Sequence, residues 1–312
     1  MDPLVLLAQR DPVSLAATAT GAAKLHTTEG IVTGTTAAGV ARFGNIPYAK
    51  PPERWTPPVP PLAYPGGVRN GTEFGNFCVQ PDGAGSEDCL LLNVFTPATA
   101  LGNTSSKLPV LLWVHGGAYQ SGKSNDYDGT SLVSYLDGRV ALVTINYRLN
   151  IHGFLGSTSL RPLDAASGST GNTGIQDQRA AFAWVRTNAH SFGGDPSRVT
   201  IFGESAGGGS MTLHLSMPKS RGLFARTIIE SGSFASWTAR PLAHAEVIYS
   251  QVLAAAACSD AACLASRSVA NLSAVIQSIP AGLCCNQVRA ARGTWTLRRA
   301  HGHSLLPLTT PC

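Results

Sequence analysis

Beyond Asp260 the chain has no acidic residue at all. Residues 1–260 carry 18 Lys and Arg against 18 Asp and Glu, whereas residues 261–312 carry five Arg and no carboxylate, so the net charge of +5 belongs to the C-terminal stretch. Basicity confined to a tail does not make a nucleic-acid surface, and no nucleic-acid partner is expected. No apolar run approaches the ~18 residues of a helical membrane span, so the chain reads as soluble. The N-terminus, MDPLVLLAQRDP, has a brief apolar patch, but Asp2 stands where a signal peptide carries basic residues, and no complete signal peptide is visible. There is no internal repeat, and no metal or cofactor is expected.

What is present is a core-forming chain. With 312 residues and 44% apolar composition it has room for one large domain or two ordinary ones. Seven cysteines are an odd count. Cys78 and Cys89 bracket a Pro/Gly/Asp-rich loop, and Cys258 and Cys263 bracket SDAA, so each pair is placed to close locally as a disulfide; Cys284, Cys285 and Cys312 have no obvious partners. Sequons at Asn70, Asn103 and Asn271 are candidate glycosylation sites. Cysteines and sequons together point to a secreted or otherwise extracytoplasmic destination.

Residues 29–48 read as two short strands, followed by a proline-dense surface loop. CLLLNVFTP, LPVLLWVHGG and RVALVTINYR read as apolar strands, and GIQDQRAAFAWVRTNAHSFGG as a helix with a Gly-Gly stop. VTIF then reads as a buried strand, followed by a helix through Met211 to Leu215 and the strand ARTIIES. Alternating strands and helices indicate an α/β fold with a mostly parallel central sheet and helices on both faces. After Ser236 the chain is Ala-rich and helical with no convincing strand, and from Asn286 it shows neither period. We divide it into residues 1–285 and an aberrant or unstructured tail, 286–312.

Gly-Glu-Ser-Ala-Gly, residues 203–207, sits between that strand and helix. A serine on so tight a turn needs Gly203 and Gly207 as hydrogen-sized neighbours, and the turn lifts its Oγ above the sheet, where a nucleophile is accessible. HGGA, residues 115–118, also follows an apolar strand, and its glycines let backbone N–H groups approach a developing oxyanion.

Residues 192–208, FGGDPSRVTIFGESAGG, match throughout the extended signature of the type B carboxylesterase/lipase family, which includes the cholinesterases. EDCLLLNVFTP resembles a second signature, with Leu91 where the family usually has an aromatic or Thr. WVHGGAYQSG, TINYRLNIHGFLG, GNTGIQDQRAAFAWV and SRGLFARTIIESGS are similar too, so the resemblance runs from about residue 29 to about residue 265. It implies an α/β-hydrolase fold, a carboxylic ester hydrolase acting on a small-molecule ester, and Ser205 as the nucleophile forming an acyl-enzyme. It further implies oxyanion donors at the amides of Gly117, Ala118 and Ala206, a loop shaped by Gly116, and Glu204 as a buried carboxylate behind the nucleophile. His115 reads as loop packing.

Such a serine needs an acid and then a His downstream. After Ser205 the acids are Glu230, Glu246 and Asp260 and the histidines are His214, His244, His301 and His303. Asp260 with His301 is numerically possible, but residues 237–312 offer no further strands to carry them, and Glu230 and His214 read as structural. In the family these partners lie well over a hundred residues beyond the nucleophile, so the triad acid and His are expected to be missing and the chain to be a C-terminally truncated member with little turnover and an uncovered apolar sheet edge.

The Cys78–Cys89 loop contributes a further expectation. In the family it forms a lipase flap or carries an aromatic that holds choline. Here VQPDGAGSED has neither length nor aromatic, which points to uncharged short or medium acyl esters. The rival reading is a non-catalytic, cholinesterase-like adhesion module.

Overall fold

The computed structural model describes residues 21–50, 53–233 and 239–279, together with the backbone of 288 and 289. The tail beyond, with Cys284, Cys285, Cys312, His301 and His303, lies outside the described residues, as do residues 1–20.

Strands β1 (Gly21–Thr27), β2 (Gly30–Ala37) and β3 (Val40–Pro47) form an antiparallel meander, with β4 (Val68–Asn70) parallel to β2. β5 (Leu91–Pro97) joins β3 antiparallel to the rest. Next come β6 (Leu108–Val114), β7 (Ala141–Ile145), β8 (Gly194–Glu204) and β9 (Arg226–Glu230). The sheet order is β1-β2-β3-β5-β7-β6-β8-β9, and the block β7-β6-β8-β9 is parallel throughout. The sheet is therefore mixed, an antiparallel N-terminal half joined to a parallel half that bears the candidate site.

Helices α1 (Thr130–Tyr135), α2 (Asn150–Phe154), α3 (Thr173–Asn188) and α4 (Ala206–Ser216) are succeeded by α5 (Leu242–Ala255), α6 (Ala261–Ser266) and α7 (Val269–Ser278). Two-residue alternation sorts the strand side chains between the faces. Val110, Leu112, Val114, Val143, Ile145, Val199 and Ile201 join Phe182 and Val185 of α3 in the larger core. Trp113, Leu142 and Phe202 point the other way and pack with Leu132 and Val133 of α1. Both faces of the parallel block are thus covered, as such sheets require.

Two elements differ from what the sequence pattern predicts. Residues 21–27 form a strand, although the pattern predicts strand only from residue 29; of GAAKLHT just Ala23 and Leu25 turn inward, too short an apolar alternation to register. Arg240–Pro241 pairs with Val288–Arg289, so residues after 236 do contain strand, although this two-residue ladder stands apart from the main sheet.

β9 closes the sheet on one side. Ile228 and Ile229, on opposite faces of it, are 47% and 36% exposed, while every residue of β7 is buried. The expected apolar edge is present among the described residues.

Both disulfides are closed, Cys78–Cys89 and Cys258–Cys263. Arg54 links the loop of the first to the segment after the second. Its guanidinium holds both carboxylate oxygens of Glu87, at 2.6 and 2.8 Å, and donates to the carbonyl oxygens of Ala265 and Arg267. Burial raises the Glu87 carboxyl, but the Arg54 bonds and His152, 3.4 Å away, outweigh it and hold the group down at about 2.

Candidate active site

β6, β8 and β9 end together, with Gly203 paired to Val114 and Glu204 to Glu230. Open α/β sheets bind their ligands in the crevice beyond such carboxyl ends. After β8 the chain turns at Ser205, whose φ of 52° and ψ of −116° lie outside the ordinary regions for a side-chain-bearing residue. The turn is held from three directions. The Ser205 N–H donates to the Glu230 carbonyl at 2.9 Å, the Ser205 carbonyl accepts from Gly209 at 2.8 Å, and Ala206 begins α4, fully buried.

The flanking glycines are there because backbone comes too close for a side chain. A Cβ on Gly207 would stand 2.1 Å from the Val114 carbonyl oxygen, and one on Gly203 would stand 2.6 Å from the same atom. α4 is pressed against the end of β6. On the other side of the serine, a Cβ on Gly116 would lie 2.8 Å from the Glu204 carbonyl and 3.3 Å from the Ser205 Cβ. The loop after β6 therefore packs directly on the serine turn.

That loop runs through three successive left-handed residues, Gly117, Ala118 and Tyr119, with φ of 100°, 56° and 60°. Such a run persists only when its surroundings fix it. The Tyr119 ring is buried against Phe154 at 4.9 Å, and the Tyr119 carbonyl accepts from Asn150 N–H at 2.7 Å. His115 stacks on Tyr147 at 4.5 Å, the Tyr147 hydroxyl donates to the His115 carbonyl, and His115 Nδ1 donates to the Gly116 carbonyl at 2.8 Å. Gly117 and Ala118 are exposed, and the N–H groups of Gly117, Ala118 and Ala206 make no hydrogen bond among the described residues. Three free donors thus border the Ser205 turn.

The other residues singled out in the sequence separate. His115 is buried and serves the loop, as expected of it. Glu204, expected to be buried, is only half-buried. Glu246 accepts from Ser157 and Thr158, and Asp260 caps α6 through the Cys263 N–H, so both carboxylates are committed to other elements. His214 is a buried residue of α4: its Nε2 donates to Gln178 Oε1 at 3.0 Å, and its Nδ1 accepts from the Ser220 hydroxyl at 2.9 Å. Gln178 in turn donates to Ser210, whose hydroxyl reaches the Ala206 carbonyl. This buried chain fastens α4, and with it the serine turn, to α3. No histidine among the described residues bonds to the Ser205 hydroxyl.

Desolvation pushes His115 down to about 4 and His214 to about 3, from an ordinary 6.5. Between pH 6.5 and 4 the unfolded chain binds protons that the folded chain refuses. Stability is therefore full above pH 6.5 and falls as pH drops toward 4, by on the order of 3 kcal/mol for each group. Thermal unfolding should show a clearly lower Tm at pH 4.5 than at pH 7, with a flatter dependence in His214→Gln. Equal Tm values at the two pH values would contradict this account.

Two supports of the site leave no mark in the sequence. The Gln80 amide pairs with Gly122 as a peptide group would: its Oε1 accepts from Gly122 N–H at 2.9 Å and its Nε2 donates to the Gly122 carbonyl at 3.1 Å. It thereby ties the Cys78–Cys89 loop to the loop after β6. Arg148, three residues beyond β7, forms a two-pronged ion pair with Asp177 of α3 at 2.7 and 2.8 Å, and both side chains are buried.

The sequence profile of the carboxylesterase family matches residues 21–295. The chain belongs to the carboxylesterase family. The para-nitrobenzyl esterase of Bacillus subtilis (strain 168) is 42% identical over 239 residues, covering 72% of this chain and 46% of that protein. The cocaine esterase of Oryctolagus cuniculus is 43% identical over 215 residues, covering 63% of this chain and 38% of the relative. Among solved structures, the Geobacillus stearothermophilus carboxylesterase EST55 superposes with a TM-score of 0.76 at 39% identity, covering 85% of this chain and 55% of that one. Aspergillus niger EstA gives 0.73 at 34% identity, with coverage of 82% and 50%. This carboxylesterase chain spans about half the length of the relatives it matches, and it has their α/β-hydrolase fold.

Proposed function

We propose that Ser205 is the nucleophile of a carboxylic ester hydrolase. Its Oγ attacks the ester carbonyl, the carbonyl oxygen becomes an oxyanion, and the alcohol leaves to give an acyl-enzyme that water then hydrolyses. The oxyanion is received by the N–H groups of Gly117, Ala118 and Ala206, with Gly116 setting the loop against the serine and Glu204 standing beside it. The observation that carries the reading is the convergence of a strained, partly exposed serine with three unbonded amides. Small uncharged esters suit the site, because the Cys78–Cys89 loop brings no aromatic for a cationic alcohol.

Proton transfer is the weak link. With His115 and His214 committed to packing, no histidine among the described residues bonds to the Ser205 hydroxyl, and the 312-residue chain by itself should turn over very slowly. p-Nitrophenyl acetate hydrolysis by the chain is expected to differ little from that of Ser205→Ala; serine-dependent turnover within the ordinary enzyme range of about 1–10³ s⁻¹ would overturn this. The committed histidines also favour the second reading, an adhesion module with a vestigial site, and modification of Ser205 by a fluorophosphonate would count against it. An extracytoplasmic location is supported by two closed disulfides and by the exposure of Asn70, Asn103 and Asn271, the sites proposed for glycosylation.

A further inference from the structure

The two disulfides differ in what surrounds them. Cys78 and Cys89 are 2% and 1% exposed, and no side chain among the described residues hydrogen-bonds to either sulfur. Cys258 and Cys263 are only half-buried, in a segment whose Ala257, Ser259, Asp260 and Ala262 are all exposed. This second bridge ties the link between α5 and α6 to Cys263 on α6 itself. A single guanidinium lies against both of its sulfurs. Arg267 Nε donates to Cys258 Sγ at 3.4 Å, and Arg267 Nη2 stands 3.8 Å from Cys263 Sγ. Nη2 also donates to the Ala257 carbonyl at 3.0 Å, which fixes the group in place. No carboxylate pairs with Arg267 among the described residues. Asp260, the acid of this segment, is occupied by the Cys263 N–H at 2.8 Å and the Ser259 hydroxyl at 3.3 Å.

A neutral disulfide sulfur is a weak acceptor and gains little from a cation, whereas a thiolate beside an arginine is strongly favoured. The guanidinium is thus matched to the charge that appears when the bridge opens. Thiol exchange is faster when the leaving sulfur is the better stabilised thiolate, and exposed bridges are the labile ones. We propose that Cys258–Cys263 is a thiol-modification site, at which a small thiol adds to Cys263 and Arg267 receives Cys258 as the leaving thiolate. The small thiol gives its proton to solvent and forms a bond to Cys263 Sγ. The bond between the two protein sulfurs breaks, and its electron pair leaves on Cys258 Sγ, the sulfur that Arg267 Nε already reaches. One disulfide is exchanged for another, so no separate oxidant or reductant is consumed. The site is separate from the serine turn and does not depend on ester chemistry.

Reaction of the whole chain with reduced glutathione under native conditions at pH 7, quenched with acid at early times and mapped by peptide mass spectrometry, tests it. Cys258–Cys263 should open about tenfold or more faster than Cys78–Cys89, with the glutathione adduct on Cys263 and the free thiol on Cys258. Arg267→Gln should slow that opening about threefold or more, and in the fully reduced chain it should slow alkylation of Cys258 by iodoacetamide by a similar factor. Arg139→Gln, an exposed arginine that touches neither sulfur, should change neither rate. Unaltered circular dichroism and an unaltered rate at Cys78–Cys89 separate the loss of the guanidinium from a loosened fold. Equal opening of the two bridges, an adduct on Cys258 in place of Cys263, or an opening rate unchanged in Arg267→Gln would each overturn the proposal.

Discussion

Asp177→Asn is expected to lower the unfolding free energy by about 3–5 kcal/mol, measured by urea titration at pH 7. Asp177 is fully buried and receives three N–H bonds from Arg148, from Nε, Nη2 and the backbone. Removing the charge leaves a buried guanidinium facing one neutral amide oxygen and an NH2 group in place of the carboxylate, with the Thr56 carbonyl, at 2.9 Å, as its other acceptor. The effect should spread to the site, because a single residue, Leu149, separates Arg148 from Asn150, which holds the Tyr119 carbonyl and, through its side chain, the Val79 carbonyl at 2.7 Å. The double variant Arg148→Met/Asp177→Leu should be less damaged than the single one, since no lone charge is left behind. A single variant within about 1 kcal/mol of the parent would show that the pair is not the anchor described.

Gly207→Ala is the second large effect. On helix propensity alone the change would be favourable by roughly 0.5–1 kcal/mol. The added methyl, however, falls 2.1 Å from the Val114 carbonyl and 3.2 Å from that of His115, so α4 must move off the end of β6. Neither backbone carbonyl can turn aside as a side chain would. Net destabilisation of about 3 kcal/mol or more is expected, together with loss of fluorophosphonate labelling at Ser205 if the parent labels. A variant with unchanged Tm would mean that the helix and strand are not in contact as described.

Much of this architecture is legible in the sequence, because strands such as VTIF and LPVLLWV are apolar on both faces and the glycines around Ser205 sit at fixed offsets from it. The disulfide pairs are legible from spacing as well. The long-range polar contacts are not. Arg148 and Asp177 are 29 positions apart and Gln80 and Gly122 are 42 apart, and neither pair leaves a periodic trace. β1 escapes a pattern reading for a related reason: with Lys24 and His26 facing outward, its inward alternation amounts to two residues. The half-burial of Glu204 is likewise encoded by no local pattern.

The Gln80 amide gives the molecule a property that no single loop has. Because it makes the paired bonds of a peptide group with Gly122, two stretches of chain 42 residues apart are joined as if they were neighbouring strands of a ribbon, and the Cys78–Cys89 bridge limits how far one of them can stray. Fluctuations of the two should therefore be correlated. Loosening at the disulfide-bounded loop would reach the Gly116–Ala118 backbone as a change in amplitude of motion, with no side chain at the serine having moved.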